Sequence, residues 1–164
     1  MKGLSFLKRL NKEGKLKLVE PSAEISKSYL IKSDNCLKSA SVLYKEKLYE
    51  NSVAEAYYSM YNAVLSLLFR CGIKCESHSA AILILGEIFG MDDLKGKLSF
   101  AKKERIDKQY YVSDPESIRV TEEANEKMLA DAEDFALRIK SFLGRIKTGE
   151  VKVYQKILEE KLKG

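Results

Sequence analysis

Residues 54–85 read AEAYYSMYNAVLSLLFRCGIKCESHSAAILIL, and the reading of this stretch decides the fold. Val53, Tyr57, Met60, Val64, Leu67 and Cys71 recur at three- and four-residue steps, while Tyr58, Tyr61, Leu65, Leu68 and Phe69 widen that stripe until most of the circumference is apolar. A helix of this kind must be covered on more than one side. Its polar residues, Glu55, Ser59, Asn62, Ser66 and Arg70, fall on one line and form a narrow hydrophilic seam along an otherwise buried rod. Gly72 is placed to end the helix in a left-handed cap, and Ser77 or Ser79 to cap the next one, whose apolar run is Ala80 to Leu85. Cys75, Glu76 and His78 then sit in or beside a short corner.

On the N-terminal side, Pro21, Ser22 and Glu24 open a helix whose apolar positions Ile25, Tyr29, Cys36, Ala40 and Leu43 keep helical spacing to about Leu48. Asn51 or Ser52 is the expected cap of the central helix, so the first two helices are expected to be antiparallel neighbours. Residues 1–20 divide into an amphipathic piece (Leu4, Phe6, Leu7, Leu10) and an extended KLKLVEP, an arm that docks on the bundle or on a partner. On the C-terminal side a turn at 90–93 leads into a helix from Leu94 to about Tyr111 with a thin stripe of Leu94, Leu98 and Ala101. Pro115 marks a loop over 112–120. Thr121 caps the cleanest amphipathic helix in the chain, stepping through Ala124, Met128, Ala132, Phe135, Ile139, Phe142 and Ile146 until Gly149. Val151, Tyr154, Ile157, Leu158 and Leu162 suggest a last basic helix with an exposed apolar face.

The expected class is therefore all-α. It is an up-and-down bundle of four to five helices over residues 21–147, near 22–48, 52–71, 78–89, 94–111 and 121–147, with no sheet in the core, an N-terminal arm over 1–20 and a basic tail over 148–164. The 164 residues suffice for one core but not comfortably for two. Only 2 prolines and 9 glycines leave few breaks, which favours long helices. Three cysteines, an odd number, imply reduced thiols rather than a disulfide framework. No apolar run approaches the ~20 residues of a bilayer span and the N-terminus lacks a signal-peptide core, so the expected location is the cytoplasm, off the membrane. A net charge of +5 with basic ends is compatible with nucleic acid or an acidic partner and equally with a solvated surface.

Three groups of residues could carry chemistry. Cys71, Cys75 and His78 form C-x3-C-x2-H, types that zinc accepts, but zinc sites draw on two separated ligand pairs and no second pair exists, so no metal and no cofactor are expected. Cys75 as a nucleophile with His78 and Glu76 is the second group. The third is the patch KKERIDKQYY at 102–111, in which Lys102, Lys103, Arg105 and Lys108 supply cations for phosphate and Tyr110 and Tyr111 rings that could stack on bases. The same patch could equally be a solvated helix face.

The run AYYSMYNAVLSLLFRCGIKCESHSA, the segment KERIDKQYYVSDP and the final helix beginning TEEANEKMLADAEDFALRIK together resemble the HEPN domain family, in its uncharacterised prokaryotic branch with a YY-x-M-Y motif and a following HS. The resemblance covers about residues 21–146. It implies a helical bundle, commonly a homodimer, and for many members a metal-independent ribonuclease or toxin. Others pair with a minimal nucleotidyltransferase that acts as antitoxin. The ribonuclease members carry Arg, four to six residues, then His; the matching place here is Arg105-x4-Tyr110, with tyrosine where the histidine belongs. His78 matches the HS of the branch, and Arg70 and Ser77 flank that corner as further candidate contacts for RNA or nucleotide. Arg105 suits a phosphate. Tyr110, with a reference pKa near 10, is a poor base at neutral pH, and it lies about 140° around the helix from Arg105. The resemblance thus implies an RNA- or nucleotide-associated, toxin-like component with weak or lost ribonuclease activity; a non-catalytic interaction module is the competing expectation.

Overall fold

The structure, a computed structural model, describes residues 2–110 and 119–163, with the side chains of 107–110 outside the description. The elements run α1 (Lys2–Lys12), β1 (Leu16–Leu18), α2 (Ala23–Lys45), α3 (Tyr49–Arg70), β2 (Ile73–Cys75), α4 (His78–Glu87), α5 (Asp92–Tyr110), α6 (Glu122–Arg145) and α7 (Thr148–Lys163). The architecture is an all-α bundle around α3, on which Tyr57, Met60, Val64, Leu67 and Leu68 have no exposed surface. No helix among the described residues is long and apolar enough to cross a membrane.

The hydrophilic seam of α3 is the contact with α2. Ser33 Oγ donates to the Ser59 carbonyl at 2.8 Å, Ser66 Oγ donates to the Ser26 carbonyl at 2.7 Å, and Ser52 Oγ donates to the Ala40 carbonyl at 2.8 Å. Along α2 the contact residues Ser26, Ser33 and Ala40 step by seven, and along α3 Ser66, Ser59 and Ser52 step by seven the other way. That is the repeat of two antiparallel helices sharing a long seam. Small side chains let such backbones approach closely, and each seam hydroxyl finds a carbonyl or another hydroxyl, so burying it costs little. The apolar stripe expected on α2 is offset from the observed one: Ile25 is 42% exposed, and Tyr29 stacks on Phe69 at 5.4 Å from the flank.

The turn from α2 into α3 corrects the expected cap. α2 ends in a Schellman motif, with Leu48 N donating to Leu43 O and Lys47 N to Tyr44 O, and Lys47 takes the left-handed position at φ 61°. α3 therefore begins at Tyr49 with Leu48 as its cap residue and no side-chain cap bond. Ser52 serves the α2 seam instead. The other expected caps are present: Ser22 Oγ accepts from Ile25 N, Ser77 Oγ from Ala80 N, and Thr121 Oγ1 from Ala124 N.

A two-stranded sheet joins the chain's beginning to the end of α3, in antiparallel register Leu16↔Cys75, Lys17↔Lys74 and Leu18↔Ile73. Leu16 and Ile73 are fully buried, so the expectation of no sheet in the core fails at this one short ladder. Gly72 leads into it at φ 68°, where a side chain would lie 2.4 Å from the Val19 carbonyl oxygen. Leu7 and Leu10 of α1 enter the same core, as do Val151 and Leu158 of α7. The apolar face of the last helix, expected to be exposed, is thus largely covered; Tyr154 packs on Phe89 with ring centroids 4.7 Å apart. Gly149 does not end α6. Ile146 turns to an extended conformation there, and Gly149 lies in the first turn of α7, where Glu150 Oε2 accepts from Lys147 N. On α6 the inward position near the start is Asn125, fully buried and donating to Ser52 Oγ at 3.0 Å, whereas Ala124 is exposed.

Candidate functional site

The face of α3 turned away from the serine seam carries Tyr57, Tyr58 and Tyr61 within one turn of helix. Tyr57 and Tyr61 stack at 6.2 Å with 7° between their planes, and Tyr58 meets Tyr57 edge-on at 5.4 Å. Onto this aromatic shelf the β1–β2 ladder delivers the start of α4. Glu76 N donates to Lys15 O at 2.9 Å, which extends the ladder by one bond, and Ser77 caps the helix whose first residue is His78. The imidazole lies over Tyr61 with centroids 3.8 Å apart, and its Nδ1 is 2.5 Å from the Tyr57 phenol oxygen. From the other side, α5 brings the Arg105 guanidinium over Tyr57 at 5.2 Å and Tyr58 at 5.0 Å, geometry for cation–π attraction. One turn earlier, Lys102 Nζ donates to Ser79 Oγ at 2.6 Å.

The electrostatics follow from this packing. Burial, and then the positive charges of Arg105 and Lys102, hold the His78 pKa below its ordinary 6.5, so the ring is neutral at pH 7. Burial pushes the Tyr57 phenol up to about 12 against the opposing pull of Arg105, and Tyr61 is raised for the same leading reason. Arg105 Nε is buried without a hydrogen-bond partner among the described residues. An inward donor on a permanent cation is costly to leave unsatisfied. Beside the corner runs a groove of about 290 Å³ lined by Phe6, Ser79, Leu83, Lys95, Ser99 and Lys102.

The structure therefore brings together Arg105, His78 and Lys102 from two helices, with Ser77 at the edge as a cap whose hydroxyl already accepts a bond. Lys103 is exposed on α5. Tyr110 is the last residue of α5, and its side chain and that of Lys108 lie outside the described residues, as do residues 112–118 of the loop expected over 112–120. Arg70 sits nine residues beyond Tyr61 on α3, roughly 13 Å along the axis at 1.5 Å per residue. There it lines a different hollow with Pro21, Lys152 and Gln155. The cysteine corner does not converge. Cys71 is fully buried with its thiol pushed up to about 12, Cys75 Sγ donates to the Ser77 carbonyl at 3.3 Å, and His78 Nδ1 is engaged by Tyr57. Among the described residues, no three His, Cys, Asp or Glu side chains gather as metal ligands. Tyr57, which joins His78 to Arg105, was read from sequence as a core residue and as the first tyrosine of the YY-x-M-Y motif, with no role in the site. The doubled tyrosine at 57–58 was its one signal.

Residues 26–142 match the HEPN domain model, well over half of the chain, and the protein belongs to the HEPN domain family. It is also similar to the protein named "Putative toxin MJ0605" of Methanocaldococcus jannaschii, with 29% identity over 114 residues, covering 67% of this chain and 82% of the relative.

Proposed function

We propose that this chain is a toxin-like HEPN protein that holds single-stranded RNA, or a nucleotide, by its phosphates at the Arg105 corner and cleaves RNA weakly and without metal. The observation that carries this reading is the placement of Arg105: a guanidinium whose buried Nε has no partner among the described residues, beside Lys102 and His78, on an aromatic shelf. Guanidinium suits phosphate, and exposed lysines such as Lys103 raise the local concentration of a polyanion. The relative named as a putative toxin supports the toxin-like part. A homodimer, a cytoplasmic location and a minimal nucleotidyltransferase-type partner belong to the same proposal. α3 is covered within its own chain, so the support for a second copy lies elsewhere, in exposed apolar side chains such as Ile31 and Val42 on α2 and Leu137 on α6, at 53%, 53% and 65%. Those side chains also favour the second reading, a non-catalytic interaction module.

Binding of a short single-stranded RNA at low salt separates the two. The first reading expects binding that weakens with added salt and falls at least tenfold in Arg105→Ala, about 1.4 kcal/mol or more. Wild-type protein that takes up neither RNA nor nucleotide under those conditions is an interaction module.

A further inference from the structure

The family's ribonuclease pattern places its histidine four to six residues beyond its arginine, and here that place holds Tyr110. The only histidine in the chain is His78, and it stands beside Arg105 by another route, across the α4–α5 contact with Tyr57 between them. We propose that His78 is the catalytic base of this protein's RNA cleavage, supplied from the first turn of α4 in place of a histidine on α5, and that Tyr57 is its positioning residue. This rests on the RNA-binding reading above.

Three features of the geometry carry the assignment. Nδ1 is engaged by the Tyr57 phenol and one face of the ring lies on Tyr61, so the imidazole is fixed in position and in plane, with Nε2 as the nitrogen that Tyr57 does not engage. The ladder from Lys15 to Glu76 and the Ser77 cap hold the backbone on which the ring stands. The cations facing it, Arg105 and Lys102, both come from α5, and Tyr57 and Tyr61 are the titratable groups facing it from α3. A phosphate drawn by Arg105 therefore arrives beside a neutral ring.

The step uses the tautomer in which Nδ1–H donates to the Tyr57 oxygen and Nε2 carries the lone pair. Nε2 takes the proton of the ribose 2′-hydroxyl as O2′ attacks phosphorus. The O2′–P bond forms and the P–O5′ bond breaks. The leaving O5′ takes a proton from water, giving a 2′,3′-cyclic phosphate and a 5′-hydroxyl end, and the imidazolium returns its proton to solvent. Arg105 balances the charge that grows on the phosphate oxygens. An imidazolium beside two cations is unfavourable until a phosphate lies between them, so the base is effective only with substrate bound and the rate is low.

The experiment compares wild type, His78→Asn and Tyr57→Phe, all without a histidine tag, in cleavage of a short single-stranded RNA and in binding of its 2′-O-methyl analogue, which cannot be cleaved by this route. Asparagine keeps an N–H donor for the Tyr57 oxygen in place of Nδ1–H, so Tyr57 retains its partner, and the fold can be checked by circular dichroism. The expected result is that His78→Asn still binds but cleaves about a hundredfold more slowly, the size of a general-base contribution. Tyr57→Phe should cleave with an altered pH profile, a change that a purely structural tyrosine would not cause. If wild type and His78→Asn cleave at equal rates, or if wild type binds RNA and produces no 2′,3′-cyclic ends, the base assignment is overturned and the binding reading stands. If wild type does not bind the analogue, both fall.

Discussion

The two sides of α3 bury polar groups in opposite ways. Toward α2, the serine hydroxyls of the seam are spent on one another or on neighbouring carbonyls: Ser33, Ser52 and Ser66 donate to carbonyls, and Ser26 and Ser59 pair with the hydroxyls of Ser66 and Ser33. Toward α4 and α5, Tyr57 holds an imidazole whose pKa is lowered and lies under a guanidinium with an unpartnered nitrogen. Among the described residues, the first side is a packing surface with one buried unpartnered atom, Asn125 Oδ1, at its Ser52 end, and the second leaves the nitrogen of a cation unpartnered. Polar groups kept partly unsatisfied near perturbed titratable groups mark candidate sites, whereas satisfied ones mark architecture.

Breaking the first side should cost the most stability. Ser59→Leu forces a large side chain into the closest approach of α2 and α3 and removes a partner of Ser33. A loss of about 3 kcal/mol is expected in urea denaturation, while RNA binding by the protein that remains folded is kept. Arg105→Ala should do the reverse, changing stability by about 1 kcal/mol, the size of its cation–π contacts, while abolishing most RNA binding. Equal effects of both substitutions on both readouts would erase the distinction between the two faces.

A smaller effect follows from pH. The folded-state pKa of His78 lies below the unfolded value near 6.5, so the unfolded chain binds the proton first as pH falls. The stability contributed by the neutral ring is complete above about pH 6.5 and is lost as pH drops from there through the folded pKa. Denaturation midpoints should therefore fall between pH 7 and the folded pKa, and His78→Asn should flatten that part of the slope. The carboxylates of Asp131 and Asp134 have lowered pKa values, so their contribution is lost only at more acid pH.

Much of the bundle was legible because its signals are local. Ser22, Ser77 and Thr121 cap helices through their own side chains, and Gly72 takes the left-handed position expected of it. What was not legible depended on distant partners. The β1–β2 ladder is three residues long on each side and joins segments more than fifty residues apart, so KLKLVE showed only that it was extended. On α2, an apolar stripe through Ile25 was the natural reading, yet the buried line is Ser26, Ser33 and Ala40, because the matching line on α3 is also small and can satisfy hydroxyls. On α6, Asn125 displaced Ala124 from the core for the same reason, its amide reaching Ser52. The site was half legible. Arg105 and His78 were each marked by residue type, but their meeting at Tyr57 depends on how α4 and α5 cross, and no spacing in the sequence encodes that crossing.

With a single histidine in the chain, the site can be followed by one resonance. The imidazole proton signal of His78 is titrated by NMR in untagged protein, alone and with a short 2′-O-methyl single-stranded RNA. The account expects a midpoint below 6.5 in the free protein that moves upward when RNA is bound, because a phosphate offsets the charges of Arg105 and Lys102 and favours the imidazolium. A midpoint that RNA at saturating concentration leaves unchanged would contradict the claim that this corner receives the phosphate.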